Sequence, residues 1–228
     1  MGILDIALLP VAIMLFFVYK KDNRKEPTKL LVLLFFLGIG SVILTHLFDA
    51  AFRHFFPNLM APKDLGSLLI HCLIGVALIE EFSKWIMVYL GGYKNPAFDE
   101  LYDGIVYAIF VSLGFAALEN IIYVLVYGLK TGILRAFTSI PGHAAFGLFM
   151  GYFFSMAKLS HNEHNQKNEY KYLLLSLIVP IICHGFFDYF VLSENTILII
   201  CFVIFIVFLF IGATKKLLKI SKENRMIS

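Results

Sequence analysis

The stretch Leu68–Leu90, LLIHCLIGVALIEEFSKWIMVYL, is an apolar segment that carries two adjacent glutamates near its middle. A helix needs about 20 apolar residues to cross a bilayer, so this segment predicts a membrane-spanning helix. Ionised groups at bilayer depth are costly, and they persist mainly where they pair, contact water or take part in chemistry. Glu80 and Glu81, with Lys84 following at helical spacing, are therefore the strongest functional signal in the chain.

The composition predicts a polytopic membrane protein. The chain has 228 residues, of which 60% are hydrophobic and 15% charged, and its mean hydropathy is +0.82. This balance excludes an ordinary soluble domain, and the length suits one integral membrane domain over residues 1–228. The three cysteines lie in apolar segments without CxxC spacing, which argues against a disulfide framework or a zinc knuckle. The first segment lacks the basic start and the A-x-A site of a cleavable signal peptide, so we expect a retained helix.

The apolar pattern predicts an all-α, polytopic transmembrane helical bundle of about seven spans. They are expected at about 3–19, 29–50, 68–91, 103–127, 133–157, 171–192 and 195–214. The intervening Lys and Arg residues concentrate on one side, in the loop after span one, in the loop after span five and in the tail that ends near Arg225. Because basic loops face the cytoplasm, the N-terminus is predicted outside and the C-terminus inside. The basic tail favours contact with anionic membrane lipid over nucleic acid.

Four further polar side chains fall at a similar predicted depth to the two glutamates. At 1.5 Å per residue, Glu119, His143, His184 and Asp188 lie about 6–18 Å below the outer surface. We therefore expect one shared cavity in the outer half of the membrane.

The paired carboxyls are predicted to do acid and base chemistry. Glu80 and Lys84 are spaced i, i+4, and two neighbouring carboxyls beside a lysine can activate water. Glu119 is a third buried acid, and Asn120 could donate to an oxyanion. The alternative is structural: ion pairs and interhelical polar contacts also retain such residues.

The two histidines are predicted to lie near helix irregularities. Pro141-Gly142 precedes His143 and could open a break inside span five, admitting water. His184 precedes Asp188 by one turn, so the aspartate could orient the imidazole. Packing of both histidines as interhelical polar residues is the alternative.

A metal is one of two mechanisms that the residues allow. His143 and His184, with Glu81 and Glu119, could form a zinc site with an open position. Glu80 and Glu81 beside Lys84 could also activate water without a metal. The sequence leaves both open.

Several motifs occur in order along the chain: Glu80-Glu81-Phe-Ser-Lys84-Trp85, Phe98-Asp99-Glu100-x-Tyr102-Asp103-Gly104, Phe115-x-x-x-Glu119-Asn120, His143, and His184-Gly185-x-x-Asp188. Together they resemble the PrsW family. The match covers most of the chain in order. Relative to the related CAAX prenyl endopeptidases and abortive-infection-type proteases, Lys84 replaces an arginine found further along, and Glu119 stands where histidine is usual.

This resemblance implies an intramembrane protease of the bacterial cell membrane that makes the first, site-1 cut in a single-span anti-sigma factor and so leads to sigma factor release. It implies two sets of site residues: catalytic Glu80, Glu81, Glu119, His143 and His184, and supporting Lys84, Asn120 and Asp188. A proton- or substrate-coupled membrane transporter is the alternative, because buried acids and histidines also build proton relays. A non-catalytic membrane scaffold is a third class.

Overall fold

The computed structural model describes residues 3–223 and 226–227, and Arg225 lies outside them. The described chain folds into eight helices, with no strand among these residues, so the all-α prediction is confirmed. The helices are α1 Ile3–Lys21, α2 Thr28–Phe55, α3 Leu65–Tyr93, α4 Leu101–Tyr127, α5 Leu129–Phe137, α6 Ser139–Asn162, α7 Gln166–Leu192 and α8 Thr196–Glu223.

Five of these helices are long and apolar enough to cross a membrane: α2, α3, α4, α7 and α8. Each matches a predicted span to within about ten residues at either end. The other two predicted spans fall on α1 and α6, which are not among the five. Most of α6 is buried against protein, so its surface needs fewer apolar side chains than a lipid-facing helix does. The seven-span count and the orientation of the termini stay predictions.

Helix α4 lies at the centre of the bundle and packs closely against α6. Gly147 and Gly151 of α6 face α4, and a Cβ at Gly147 would lie 2.7 Å from Ser112 Oγ. Small residues on both helices thus let the two backbones approach. The Gly147-x-x-x-Gly151 pattern therefore serves close helix packing.

The predicted fifth span, 133–157, differs from the structure at its beginning. The chain breaks at Thr138, which separates the short helix α5 from α6. Pro141 therefore lies in the first turn of α6, where the missing N–H breaks no helical hydrogen bond. The expectation of a break inside the span at Pro141-Gly142 is wrong, because the interruption precedes both residues.

The ends of α1, α6 and α8 meet the beginning of α4 on one face of the bundle. Tyr102 donates to Val18 O at 3.1 Å, and the Ile227 amide donates to Asp99 O at 2.6 Å. Glu26, in the loop after α1, accepts a hydrogen bond from the Tyr107 hydroxyl. Burial raises the pKa of Glu26 above its ordinary value. This face contains the basic segments that the sequence assigns to the cytoplasm, so we call it the basic face.

Candidate active site

Glu80, Glu81 and Lys84 form a buried ion cluster on α3. Lys84 Nζ donates to Glu81 Oε1 at 2.7 Å and lies 3.5 Å from Glu80 Oε2. Lys84 and Glu81 are fully buried, whereas the Glu80 side chain is 13% exposed. Both carboxylates therefore share a single ammonium. The ammonium also lies 4.2 Å from the Phe115 ring centroid.

His184 connects this cluster to the cavity. Its Nδ1 lies 2.8 Å from Glu81 Oε1, so this nitrogen donates to the carboxylate. Its Nε2 lies 3.4 Å from Asp188 Oδ2 and 3.9 Å from Glu80 Oε2. Asp188 thus contacts the imidazole, as its i, i+4 spacing suggested.

His143 joins the α3 cluster to a second ion pair. Its Nδ1 lies 3.2 Å from Lys84 Nζ, and its Nε2 lies 3.0 Å from Glu119 Oε2. The same Glu119 oxygen accepts from Arg135 at 2.6 Å. The rings of His143 and His184 meet edge to face with centroids 5.3 Å apart. One chain of contacts therefore runs from Glu81 to Arg135.

Asn120 does not line the cavity, which differs from its expected role as an oxyanion donor. The residue is fully buried, and its Nδ2 donates to Ala7 O at 3.3 Å. Its Oδ1 accepts from Arg135 Nε at 3.2 Å. Asn120 therefore holds Arg135 and the beginning of α1 in place.

Arg135 is a site residue that was not predicted from the sequence. It contacts Glu119 and Asn120, and its guanidinium lies 3.9 Å from the Tyr123 ring centroid. A helical pattern was present, because Thr131, Leu134 and Arg135 of α5 and Thr138 just after it recur at i, i+3, i+4 and i+7. All four residues line the cavity.

Local backbone features bring α3 and α7 together at the site. Wide π-helical turns at His71–Ala77 and Tyr89–Tyr93 flank the regular segment Leu78–Val88; such turns are frequent at functional sites. Gly185 follows His184 and faces Leu73: a Cβ there would lie 2.5 Å from Leu73 Cδ2 and 3.0 Å from Leu73 Cα. The absent side chain thus lets α7 approach α3 beside the catalytic candidates.

The candidate residues surround a cavity of about 300 Å³. It opens near the ends of α4 and α7, opposite the basic face. Two histidines and three carboxylates line it, together with Arg135, Tyr123, hydroxyls and apolar side chains. The ionisable candidates among the lining residues are Glu80, Glu119, His143, His184 and Asp188.

Three of these side chains could hold a metal ion. Donor atoms of Glu80, His143 and His184 all lie within 4.8 Å of one another, and two imidazoles with one carboxylate are a common catalytic zinc set. The charge balance also suits a cation, because carboxylates outnumber permanent cations at the site when the histidines are neutral. The four carboxylates are those of Glu80, Glu81, Glu119 and Asp188, and the two cations are Lys84 and Arg135. The donor set fits a metal in type and spacing.

The expected ligand set differs from this group in its carboxylate. The sequence suggested Glu81 and Glu119 beside the histidines. In the structure Glu81 Oε1 already accepts from Lys84 and His184, and Glu119 Oε2 accepts from Arg135. Glu80, which faces the cavity, takes their place in the donor group.

Known proteins similar to this chain are bacterial membrane proteases. A family model described as PrsW family intramembrane metalloprotease matches residues 26–213. A protein named Protease PrsW from Oceanobacillus iheyensis is 34% identical over 228 residues, covering 100% of both chains. Proteins of the same name from Geobacillus kaustophilus and Bacillus subtilis are 37% and 33% identical, covering 81% and 95% of this chain and 77% and 94% of theirs. No solved structure matches the chain.

The cavity and the membrane-length helices agree with these matches to intramembrane proteases. The relatives span nearly the whole chain, and the family match includes every candidate residue from Glu80 to Asp188. A multi-pass bacterial membrane protein with peptidase activity is consistent with each observation. The chain belongs to the PrsW family of intramembrane proteases.

Proposed function

We propose that this protease makes the site-1 cut in a single-span anti-sigma factor, and that Glu80 activates the attacking water. The observation that carries the proposal is the convergence of two histidines and three carboxylates, from four helices, on one cavity inside a bundle of membrane-length helices. Peptide hydrolysis at membrane depth needs water, a base and a group that stabilises the oxyanion, and this cavity supplies candidates for each.

Glu80 is the better placed of the two adjacent carboxylates to act as the base. Its side chain lines the cavity, whereas Glu81 is fully buried and its Oε1 is bound by Lys84 and His184. In the proposed step, Glu80 takes a proton from water while the water oxygen attacks the scissile carbonyl carbon. Glu80 then returns that proton to the amide nitrogen as the C–N bond breaks.

His184 is the candidate for stabilising the tetrahedral oxyanion, because the two ring nitrogens of His143 are taken up by Glu119 and Lys84. His184 Nε2 is directed at the cavity side of the cluster, and Asp188 and Glu81 fix the ring from both nitrogens. The His143 ring packs edge to face against His184 and is itself held between Glu119 and Lys84. Rings fixed at both nitrogens need little reorganisation as charge develops on the substrate.

A metal ion fits the same residues. As the alternative to the metal-free step, in which Glu80 is the base, Glu80, His143 and His184 would hold the ion, and it would supply Lewis-acid polarisation of the scissile carbonyl. Glu119 contacts His143 Nε2 and Glu81 contacts His184 Nδ1, so these carboxylates would orient the two imidazoles as ligands, as carboxylates commonly do for metal-bound histidine.

The position of the cavity suggests where a substrate is cut. Glu119 and His184 each lie eight residues from the end of their helix on the face opposite the basic segments, which is about 12 Å along a helix. A helical substrate must unwind to expose its carbonyls, and unwinding costs least where water replaces the lost hydrogen bonds. The scissile bond is therefore expected at or just outside the external end of the substrate span.

Cleavage in proteoliposomes tests this function. The purified protein is reconstituted with a single-span anti-sigma factor, and mass spectrometry locates the cut in the released fragments. We expect a cut near the external end of the span, lost in His184→Ala and retained in His54→Ala, which removes an exposed histidine outside the cavity. A cut in the cytoplasmic half of the span would contradict the proposed location, and the absence of any cleavage would contradict the substrate.

A further inference from the structure

The ring nitrogens of His143 are both engaged by neighbours of opposite character. Nε2 faces the Glu119 carboxylate at 3.0 Å, and Nδ1 faces the Lys84 ammonium at 3.2 Å. A carboxylate only accepts and an ammonium only donates, so the proton of neutral His143 lies on Nε2. The reverse tautomer would direct an N–H group at the ammonium. The single lone pair of His143 therefore points at Lys84.

A metal ligand needs that same lone pair. We propose that Lys84 is a built-in competitor for the metal: its ammonium occupies the coordinating nitrogen of His143, and a metal ion completes the three-residue site only when Lys84 withdraws. This inference rests on the proposed function for the identity of the site. It assigns to Lys84 the setting of metal affinity, beyond its ion pairs with the glutamates.

An alternative hydrogen-bond acceptor for the Lys84 ammonium lies on Glu81. Its shortest contact, at 2.7 Å, is to Glu81 Oε1, and Glu81 is outside the three-residue donor group. Among the described residues, Glu81 Oε2 is buried without a hydrogen-bond partner. The ammonium can therefore keep its closest carboxylate, gain this second oxygen, and release both His143 and Glu80.

The competing ligand is a divalent transition metal cation of the zinc type. Imidazole and carboxylate donors suit Zn²⁺ and Co²⁺, whereas Mg²⁺ and Ca²⁺ favour oxygen donors alone. A divalent ion at Glu80 and His143 would also be repelled by an ammonium 3.5 and 3.2 Å from the same donor atoms.

Metal affinity measured on the purified full-length protein tests the proposal without any substrate. Zn²⁺ is titrated in competition with a chromophoric chelator, and Co²⁺ binding is followed by visible absorption. Lys84→Met keeps the aliphatic chain and removes the ammonium. We expect it to lower the Kd for Zn²⁺ at least about tenfold, or about 1.4 kcal/mol. Equal or weaker binding by Lys84→Met, or no Zn²⁺ binding by either protein, would overturn the proposal.

Matched variants separate this competition from general effects of lysine loss. Lys158→Met removes another partly buried lysine, whose Nζ donates to Tyr93 O at 3.1 Å away from the site, and should leave the Kd unchanged. His143→Ala should weaken binding and abolish the response to Lys84→Met. A tenfold gain in Lys158→Met as well, or a persisting Lys84 response without His143, would contradict the assignment.

A double variant controls for destabilisation of the fold by Lys84→Met. Lys84→Met leaves Glu81 buried without its cation, so Lys84→Met/Glu81→Gln removes both charges and leaves an amide oxygen that can still accept from His184. The same gain in affinity is expected there, and unchanged affinity would refute the proposal. Because no substrate is present, a protein that shows the gain but cleaves no anti-sigma factor refutes the substrate alone.

Discussion

Replacing Arg135 by glutamine should impair both folding and catalysis, because this residue holds Glu119 in contact with His143. The Arg135–Glu119 pair measures 2.6 Å, with side chains 13% and 17% exposed. Breaking a buried pair costs about 3–5 kcal/mol and a surface pair about 1 kcal/mol or less, so we expect a loss of about 2–3 kcal/mol. Released from Arg135, Glu119 should no longer fix the His143 ring, and kcat should fall more than KM rises.

Chemical unfolding in detergent and cleavage kinetics measure the two effects. Arg53→Gln is the matched control: Arg53 pairs with Asp49 at 2.7 Å, but the two side chains are 58% and 29% exposed, so the loss should stay below about 1 kcal/mol. Arg135→Lys should recover part of the kcat, since it keeps the charge but not the second bond to Asn120. Equal losses in Arg135→Gln and Arg53→Gln, or unchanged cleavage in Arg135→Gln, would refute this role.

Three further predictions concern other contacts. Glu81→Gln should lower the free energy of unfolding by about 3–5 kcal/mol because Lys84 loses its closest buried partner; a change below about 1 kcal/mol in chemical unfolding would contradict the buried pair. Gly185→Val should displace α7 from Leu73 and reduce cleavage at least about tenfold at equal protein level, whereas Gly212→Val, where a Cβ meets nothing within 4 Å, should not. Glu26 has a raised pKa in the folded state, so its contribution to stability is present below about pH 4.5 and is lost as the pH rises through the pKa of the folded state. Glu26→Gln should therefore flatten the dependence of the free energy of unfolding on pH in this range. An unchanged pH profile would argue against the burial of Glu26.

Much of the architecture followed from hydropathy alone. Membrane-length helices must satisfy their own backbone hydrogen bonds, so apolar runs predict helices with few alternatives. The five helices that qualify as spans, α2, α3, α4, α7 and α8, each overlap a predicted span, and the short link between α7 and α8 begins after Leu192, where the predicted spans placed it. The boundary at Thr138 was missed because the α5 segment is apolar enough to merge with the next span.

The sequence predicted which residues form the candidate site but not which of them contact each other. The predicted depth in the membrane is similar for Glu80, Glu119, His143 and His184, and in the structure these residues line one cavity. Which partners meet depends on helix rotation and close approach, such as the contact at Gly185, and a sequence does not contain those angles. Arg135 lies only two residues inside the predicted start of span five, so its depth did not group it with the other candidates.

The central claim is that a cavity carboxylate, Glu80, activates the water that cleaves the substrate. The most direct measurement is the cleavage rate of Glu80→Gln in proteoliposomes, beside Glu163→Gln, which makes the same change at an exposed position outside the cavity. The proposed role predicts a fall of at least about 100-fold for Glu80→Gln, since general-base catalysis contributes about 10²–10⁴-fold, and none for the control. Cleavage by Glu80→Gln at the wild-type rate, with equal amounts of folded protein, would contradict it.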